Sequence, residues 1–195
     1  MQVELLTSAS SVADMEKFAA LAALTCRGNA EKEHVPSEVL TRIIQAGHES
    51  VLEHITLTYR VQGISRALLQ EVSRHRHLSL SVESTRHTLR EQLNGDVWDE
   101  RCSDRYRTEL VQWLTEIAYD NPDMPNDALK YFVPEFWPTN LVLTSNIREL
   151  RHILKLRTAP AALKEFRELA HALYEAVPDE YKYLLRDCVH EEAGE

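Results

Sequence analysis

The chain has 195 residues and a mass of 22.5 kDa, and its 31 acidic residues outnumber its 22 basic residues to leave a net charge of −9. This length supports one well-buried core, so we expect a single domain over residues 1–195. The acidic balance argues against nucleic acid as a partner, because a polyanion would be repelled. The sequence has no apolar run of about 18 residues and does not begin with a basic segment leading into an apolar core. We therefore predict neither a membrane partner nor a secretory signal.

Cysteine and glycine usage narrows the class of protein further. Cys26, Cys102 and Cys188 lie far apart and show neither a disulfide framework nor zinc-binding spacing, which indicates a cytoplasmic location. None of the five glycines falls in the spacing of a Rossmann or P-loop phosphate loop. If a nucleotide binds, we expect side chains to hold it.

Periodicity in the first third of the chain predicts one strand and two helices. The predicted elements are a strand at Val3 and Leu5, a helix from Val12 to Thr25 that ends near Gly28, and a helix from Pro36 to Gly47. In the first helix, the residues at helical spacing, and so expected to face the core, are Met15, Phe18, Ala19, Ala22 and the leucines.

The segment HESVLEH then leads into the clearest strand of the sequence. Its histidines, His48 and His54, lie six residues apart and diverge on a helix, so they do not form an HExxH metal pair and we predict no metal. From Ile55 to Val61, apolar residues alternate strictly with polar ones, which predicts a strand ending at Gly63.

The chain concentrates its cations in the stretch that follows. Apolar residues at helical spacing, with Ser65 as N-cap, predict a helix from Arg66 to about Arg74. The sequence RHR, residues 74–76, falls at its C-terminal end, where the helix dipole favours cations. Residues 78–82 alternate in polarity, so we expect an extended backbone that keeps Ser84 and Arg86 on the same side. Arginines and hydroxyls gathered in this way would suit a phosphate clamp.

Helices dominate the rest of the chain. The predicted elements are helical structure between Thr88 and Asp120 with an apolar stripe of Leu110, Trp113, Leu114 and Ile117, a loop at 121–126, a strand at Leu141 and Leu143, a helix from Ile147 to Leu156 capped by Asn146, and a final helix from Ala161 to Ala176. Arg148 and His152 are four residues apart and share one helix face.

Three segments together resemble the flavin-dependent thymidylate synthases. RHRHLSLSVES resembles the family's RHR-x7-S signature, GHESVLEHITLTYRVQGISRA its H-x-S/T-x-x-E-H segment, and NIRELRHILKLRTAPAALKE its N-x-R-x-L-x6-R stretch. The three segments occur in the family's order between about residues 47 and 165. The resemblance implies an α+β (mixed α/β) fold, with a mostly antiparallel sheet flanked by helices.

The resemblance also implies a reaction. The chain would make dTMP by reductive methylation of dUMP, with methylenetetrahydrofolate as carbon donor, NADPH as reductant and FAD as bound cofactor. Family members are homotetramers with sites between subunits. They use no covalent cysteine, and no cysteine of this chain lies in the three segments.

By position in these motifs, the resemblance assigns roles to individual residues. Flavin contacts fall on His48, Ser50, Arg74, His75, Arg76, Asn146, Arg148 and His152. Nucleotide contacts fall on Glu71, Arg74, Val82, Glu83, Ser84, Arg86, Lys130 and Arg157. Arg157 matches the arginine that stabilises the pyrimidine after N3 loses its proton, which makes C5 more nucleophilic.

Several positions depart from the commonest family pattern. They are Glu71 for glutamine, Ser81 and Val82 for Asn-Glu with an acid one place later at Glu83, His87 for tyrosine, Lys130 for arginine, His152 for asparagine and Ala162-Leu163 for Ala-Gln. These departures leave two relatives of the main hypothesis open, namely hydroxymethylation at C5 and a binding protein without catalysis. A nucleic-acid-binding module using the RHRH cluster is the alternative from another class, and the net charge of −9 argues against it.

Overall fold

A four-stranded antiparallel sheet forms the centre of the computed structural model, which describes residues 1–94 and 105–190. The strands are β1 (Gln2–Leu5), β2 (Thr56–Ser65), β3 (Leu78–Val82) and β4 (Pro138–Asn146), in the order β1-β2-β4-β3. The predicted α+β class with an antiparallel sheet flanked by helices is confirmed.

Eight helices lie around this sheet in the described parts of the chain. They are α1 (Ala9–Thr25), α2 (Pro36–Gln45), α3 (Arg66–Ser73), α4 (Thr85–Asn94), α5 (Arg105–Asp120), α6 (Asn126–Leu129), α7 (Ile147–Arg157) and α8 (Lys164–Glu175). The same described parts contain four 3₁₀ segments, at Glu49–His54, Lys130–Phe132, Asp179–Leu184 and Arg186–Cys188. None of the described helices has the length and apolar character needed to cross a bilayer.

The core has a large part and a small part. The large cluster joins alternate residues of β2 and β4, such as Tyr59 and Leu143, to apolar residues of α1, α7 and α8. The small cluster joins α4, α5 and α6 around the fully buried Trp137. The sheet therefore carries the RHR segment beside the large core and the Ser84 segment beside the small one.

The middle of β2 departs from the predicted strand. The strand does not end at Gly63 but continues to Ser65, with an irregularity between Val61 and Ile64 where the pairing with β4 shifts. Gly63 has φ of +70°, a conformation that L-residues with a side chain rarely adopt, and its N–H donates to Oδ1 of Asn140 at 2.9 Å. The bulge lets β2 lead directly into α3.

Four other expectations were wrong in detail. Phe18 and Leu21 of α1 are exposed, because the helix buries Val12 and three alanines on another face, mainly against α2 and the segment Glu49–His54. In α5, Leu110 and Trp113 are also exposed while Val111, Leu114 and Ala118 are buried. The final helix begins at Lys164 rather than Ala161. Since α4 begins at Thr85, the extended backbone predicted to align Ser84 with Arg86 ends before it reaches them.

Candidate active site

The RHR segment lies at the C-terminal end of α3, a helix whose start is fixed by Ser65. The hydroxyl of Ser65 accepts a hydrogen bond from the N–H of Leu68 at 3.0 Å, and α3 ends with Arg74 as its C-cap. Capping of this kind satisfies a backbone donor that has no partner inside the helix. Residues 74–76 thus emerge together in the turn between α3 and β3, as predicted.

His75 lies inside the protein between two charged residues of α7. Only 5% of its side chain is exposed, its Nδ1 lies 3.1 Å from Oε1 of Glu149, and its Nε2 accepts a hydrogen bond from Nε of Arg157 at 3.1 Å. Burial lowers the pKa of His75, Glu149 opposes this effect, and the charge of Arg157 adds to it. The imidazole is therefore neutral at pH 7.

Arg157 lies where the end of α3 meets the end of α7. Its guanidinium stacks over the ring of Phe166 at 4.5 Å from the centroid, and Nη1 lies 3.4 Å from Oε2 of Glu71. Glu71 also faces Nη1 of Arg74 at 3.6 Å. Because 22% of the Arg157 side chain is exposed, the charge is positioned by the protein and still reaches the surface.

A cleft of about 550 Å³ opens beside this cluster. Its lining residues are Glu49, Glu53, His77, Asn146, Arg148, Glu149, His152 and Lys155. Three of the predicted flavin-contacting residues therefore share one cavity. Two more, the exposed His48 and Ser50, flank Glu49 at the cleft wall, and Arg76 is exposed in the turn before His77.

Asn146 and Arg148 hold defined positions in the cleft. Asn146 caps α7 by accepting the N–H of Glu149 at 2.8 Å, as predicted. Arg148 donates from Nη1 to Oε1 of Glu53 at 2.6 Å. A phosphate bound at this guanidinium would replace the carboxylate of Glu53, since both are acceptors for the same donor fork.

The cleft wall is anchored by a residue that sequence reasoning missed. Arg151 is 1% exposed, and its guanidinium donates to both carboxylate oxygens of Asp187 at 2.6 Å and to Oε1 of Glu49 at 3.1 Å. Glu149 was missed as well. Its place three residues after the cap Asn146 resembles a capping box, but its buried carboxylate contacts His75 instead.

The remaining predicted nucleotide contacts form a second group around the start of α4. Val82 ends β3, and Glu83 and Ser84 lie between it and α4. Arg86 pairs with both carboxylate oxygens of Asp127 at 2.5 and 3.0 Å. Lys130 is part-buried three residues further on. The carboxylate of Glu83 accepts from Gln92 at 2.7 Å and from Asn140 at 2.5 Å.

One chain does not bring these two groups together. The first group lies near the start of β3, where Leu78 pairs with Ser145. The second group lies near the end of β3, where Val82 pairs with Leu141. The strand between them spans about 13 Å at ~3.3 Å per residue. Of the arginines that the resemblance assigns to the ligands, Arg74, Arg148 and Arg157 thus lie at one end of β3 and Arg86 at the other.

The donor set suits anions rather than metals. No cluster of histidine, cysteine and carboxylate side chains within residues 1–94 and 105–190 could hold a metal ion. The cleft combines a guanidinium, an ammonium, two imidazoles and an amide with three carboxylates, and the carboxylates of Glu53, Glu49 and Glu149 are paired with Arg148, Arg151 and His75. Its size lies within the range of cofactor sites, and these groups fit the phosphates and polar ring atoms of a dinucleotide.

Together, the antiparallel α+β fold and the guanidinium groups near the cleft and near the start of α4 are features that suit a protein whose side chains bind anionic ligands. Residues 6–181 match the family described as "Thymidylate synthase complementing protein". This chain belongs to that family.

Relatives named flavin-dependent thymidylate synthase are similar over most of their length. The protein of Campylobacter jejuni strain RM1221 is 42% identical over 158 residues, which cover 74% of this chain and 76% of the relative. That of Wolinella succinogenes is 38% identical over 179 residues, which cover 85% of each chain.

Solved structures of two other proteins share the fold of this chain. Thymidylate Synthase X from Helicobacter pylori, crystallised with FAD and dUMP, superposes with a TM-score of 0.82 at 32% identity, covering 98% of this chain and 100% of that chain. The UMP/dUMP methylase PolB from Streptomyces cacaoi shares the fold with a TM-score of 0.63 at 22% identity, covering 90% of this chain and 88% of that chain.

Proposed function

We propose that this chain is a flavin-dependent thymidylate synthase that converts dUMP to dTMP. FAD would be the bound cofactor, methylenetetrahydrofolate the carbon donor and NADPH the reductant. Family membership and the relatives' names support the reaction, and the Helicobacter pylori structure with FAD and dUMP supports those two ligands. The contact of Arg157 with His75 and Glu71 carries the proposal, because it joins the third family segment to the RHR segment.

The cleft is the proposed flavin site. Asn146, Arg148 and His152 line it, and the exposed residues beside it are His48, Ser50, Arg74 and Arg76. The ring of His75 is enclosed between Glu149 and Arg157, so its contribution to the flavin site would come from its backbone. When bound, the flavin supplies the redox chemistry, and the protein supplies orientation and charge.

The proposed dUMP site combines both ends of β3 from different subunits. Glu71, Arg74 and Arg157 would come from one chain. The partner would supply the second group, which comprises Val82, Glu83, Ser84, Arg86 and Lys130. Their separation within one chain supports sites formed between subunits, and the homotetramer itself is what the resemblance to the family implies. The phosphate would take the guanidinium fork of Arg86 from Asp127, because both anions accept the same pair of N–H groups.

Arg157 is the proposed catalytic residue. Its guanidinium carries a positive charge and is held by His75, Glu71 and the face of Phe166. A fixed positive charge beside the pyrimidine favours loss of the N3 proton, which raises the electron density at C5. C5 is the atom that receives the carbon.

Further properties follow from the same proposal. We place the protein in the cytoplasm, without nucleic acid or membrane as partners. The scattered cysteines and the net charge of −9 support this assignment. We also propose one domain over residues 1–195, since the strands next to the large and small core clusters belong to one sheet.

The test is an assay with dUMP, methylenetetrahydrofolate, FAD and NADPH, with the product identified by mass. We expect dTMP, no product when NADPH is omitted, and a yellow protein after purification. An R157A variant serves as the control for contaminating activity. Hydroxymethyl-dUMP would redirect the proposal to altered C5 chemistry, and a colourless protein that FAD cannot reconstitute would refute it.

A further inference from the structure

The side chains of Glu149, His75 and Arg157 form a linear chain of hydrogen bonds. Glu149 has 9% of its side chain exposed and His75 has 5%, so bulk water is largely kept from both. The last residue in this series of hydrogen bonds is Arg157, whose guanidinium reaches the surface. Nothing in the family motifs quoted above assigns a role to Glu149.

The bonding partners fix the position of the proton on His75. A guanidinium has donors and no acceptor, so Nε2 of His75 must be the unprotonated nitrogen that accepts from Arg157. The proton is therefore on Nδ1, and it is donated to the carboxylate of Glu149. In a neutral imidazole, the hydrogen bond at one nitrogen determines the role of the other.

We infer that Glu149 is a positioning residue, which orders Arg157 by holding His75 in the tautomer that can accept its Nε–H. The inference rests on the proposed function and deepens it. With Nε committed to His75, the rest of the Arg157 guanidinium keeps one orientation toward the pyrimidine. Without Glu149, the buried Nδ1–H would lose its acceptor, and the ring could turn away from Arg157.

These hydrogen bonds also make the position of Arg157 sensitive to a fall in pH. Protonated His75 cannot accept a hydrogen bond, and its charge would repel Arg157. The charged and titratable groups acting on the ring are Glu149, Arg157 and His152 of α7, with Glu71 of α3 acting through Arg157, while α8 contributes the ring of Phe166. Burial lowers the pKa of His75 and Glu149 opposes this, so removing the charge of Glu149 lowers that pKa further.

The first experiment measures dUMP affinity by calorimetry in the FAD-loaded protein at pH 8. E149L should weaken binding about 10- to 100-fold, by analogy with the losses seen when a carboxylate that orients a metal-bound histidine is removed. E149Q keeps an acceptor for Nδ1–H and should retain most of the affinity. In an R157A background, E149L should cost nothing more, because Glu149 acts through Arg157. E4Q, which removes an exposed carboxylate of β1, is the matched control.

The second experiment follows affinity from pH 8 to pH 5. Wild-type affinity should fall as His75 is protonated below its ordinary pKa of about 6.5, and E149Q should move this fall to lower pH. H75Q should lose that component, leaving only the ionisation of the nucleotide phosphate near pH ~6, which is common to all variants.

A third measurement is independent of ligand binding. In ¹⁵N-histidine spectra at pH 8, with His75 assigned by its loss in H75Q, the proton should lie on Nδ1. A proton on Nε2, equal losses in E149L and E149Q, or a loss that persists beside R157A would overturn the inference. If E149L does not fold, the E149Q pH shift and the spectrum still decide. If dUMP does not bind at all, the proposed function fails, and the spectrum tests the tautomer alone.

Discussion

Glu165 accepts hydrogen bonds from both the backbone N–H and the hydroxyl of Ser65, at 2.7 and 2.5 Å, although 100 residues separate them. The same hydroxyl caps α3 by accepting from Leu68. One serine therefore fixes the start of the helix that carries the RHR segment and ties it to α8. The position of Arg74 and His75 relative to Arg157 depends on this contact.

Loss of the Ser65 hydroxyl should cost more than loss of an ordinary cap. S65A removes the cap of α3 and a short hydrogen bond to the part-buried carboxylate of Glu165, so we expect a loss of about 2 kcal/mol in the free energy of unfolding. The control is S8A, which removes the exposed cap of α1 and should cost about 1 kcal/mol. Urea unfolding at one protein concentration measures both, and equal losses would contradict the role of Glu165.

Arg157 should be required for turnover but not for folding. R157A removes a charge proposed to contact the pyrimidine in the bound state and to stabilise its N3 anion further in the transition state, so we expect weaker dUMP binding and a fall in kcat of about 10² to 10³, with an unchanged circular dichroism spectrum. R157K keeps the charge without the planar fork, so its kcat should lie between those of the wild type and R157A. R60A, which removes an exposed arginine paired with Glu4 at the sheet edge, is the control. Near-normal turnover in R157A would exclude Arg157 from the mechanism.

Local patterns were enough to predict the elements that hold the site. The cap at Ser65, the helix of the RHR segment, the strand at residues 78–82 and the cap at Asn146 depend on neighbours a few residues away, and the sequence shows those neighbours directly. The function of the three segments came from their resemblance to the family, because composition and periodicity alone do not show it.

Contacts between distant segments could not be predicted. Glu149 reaches His75 across 74 residues, and Arg151 reaches Asp187 across 36 and Glu49 across 102. Such partners are set by the packing of α7 against the turn after α3 and against the C-terminal segment. The exposure of Phe18 and Trp113 was missed for a related reason, since periodicity does not determine which apolar face of a helix meets the core.

The two arginine groups should affect the two ligands differently. R86A should weaken dUMP binding without changing FAD binding, and R148A should weaken FAD binding without changing dUMP binding, because they lie at opposite ends of β3 and line different proposed sites. R74A should weaken both, as a residue predicted to contact both ligands. Calorimetry with dUMP and fluorescence quenching with FAD measure these affinities. Loss of both ligands in R86A would contradict the division.

Asp127 offers a complementary variant at the same ion pair. D127N removes the carboxylate that occupies the fork of Arg86, so dUMP should bind a few-fold more tightly, corresponding to at most about 1 kcal/mol for an exposed pair. The double variant R86A/D127N should bind no better than R86A. A weaker affinity in D127N would show that Asp127 itself supports the nucleotide.

The thiols of Cys26 and Cys188 should differ sharply in reactivity. Cys188 is buried, and burial raises its pKa to about 11, so its reactive thiolate is scarce at pH 8. Cys26 is exposed. Iodoacetamide at pH 8 should therefore modify Cys26 in the native protein, and both residues in urea, as measured by peptide mass. Native modification of Cys188 would show that the C-terminal segment opens readily; Cys102 lies outside the described residues.

The buried guanidinium of Arg151 should contribute strongly to the stability of the fold. R151M leaves Glu49 and Asp187 without their shared partner, and we expect a loss of about 3 kcal/mol in the free energy of unfolding at pH 7. R60M, at an exposed ion pair, should change it by less than about 0.5 kcal/mol. The contrast separates a buried charge that ties three segments together from a solvated one.

The pH dependence tests the same contact through Asp187. Burial raises the pKa of this carboxyl, but the hydrogen bonds and charge of Arg151 outweigh burial and leave the pKa below its ordinary value. The pair therefore stabilises the fold fully above the unfolded-state pKa of about 3.9, and this contribution is lost as pH falls through the lower folded-state pKa. D187N should flatten that acid limb of the urea unfolding midpoint between pH 5 and pH 3. An unchanged limb would mean that the acid response of the fold arises from other carboxylates.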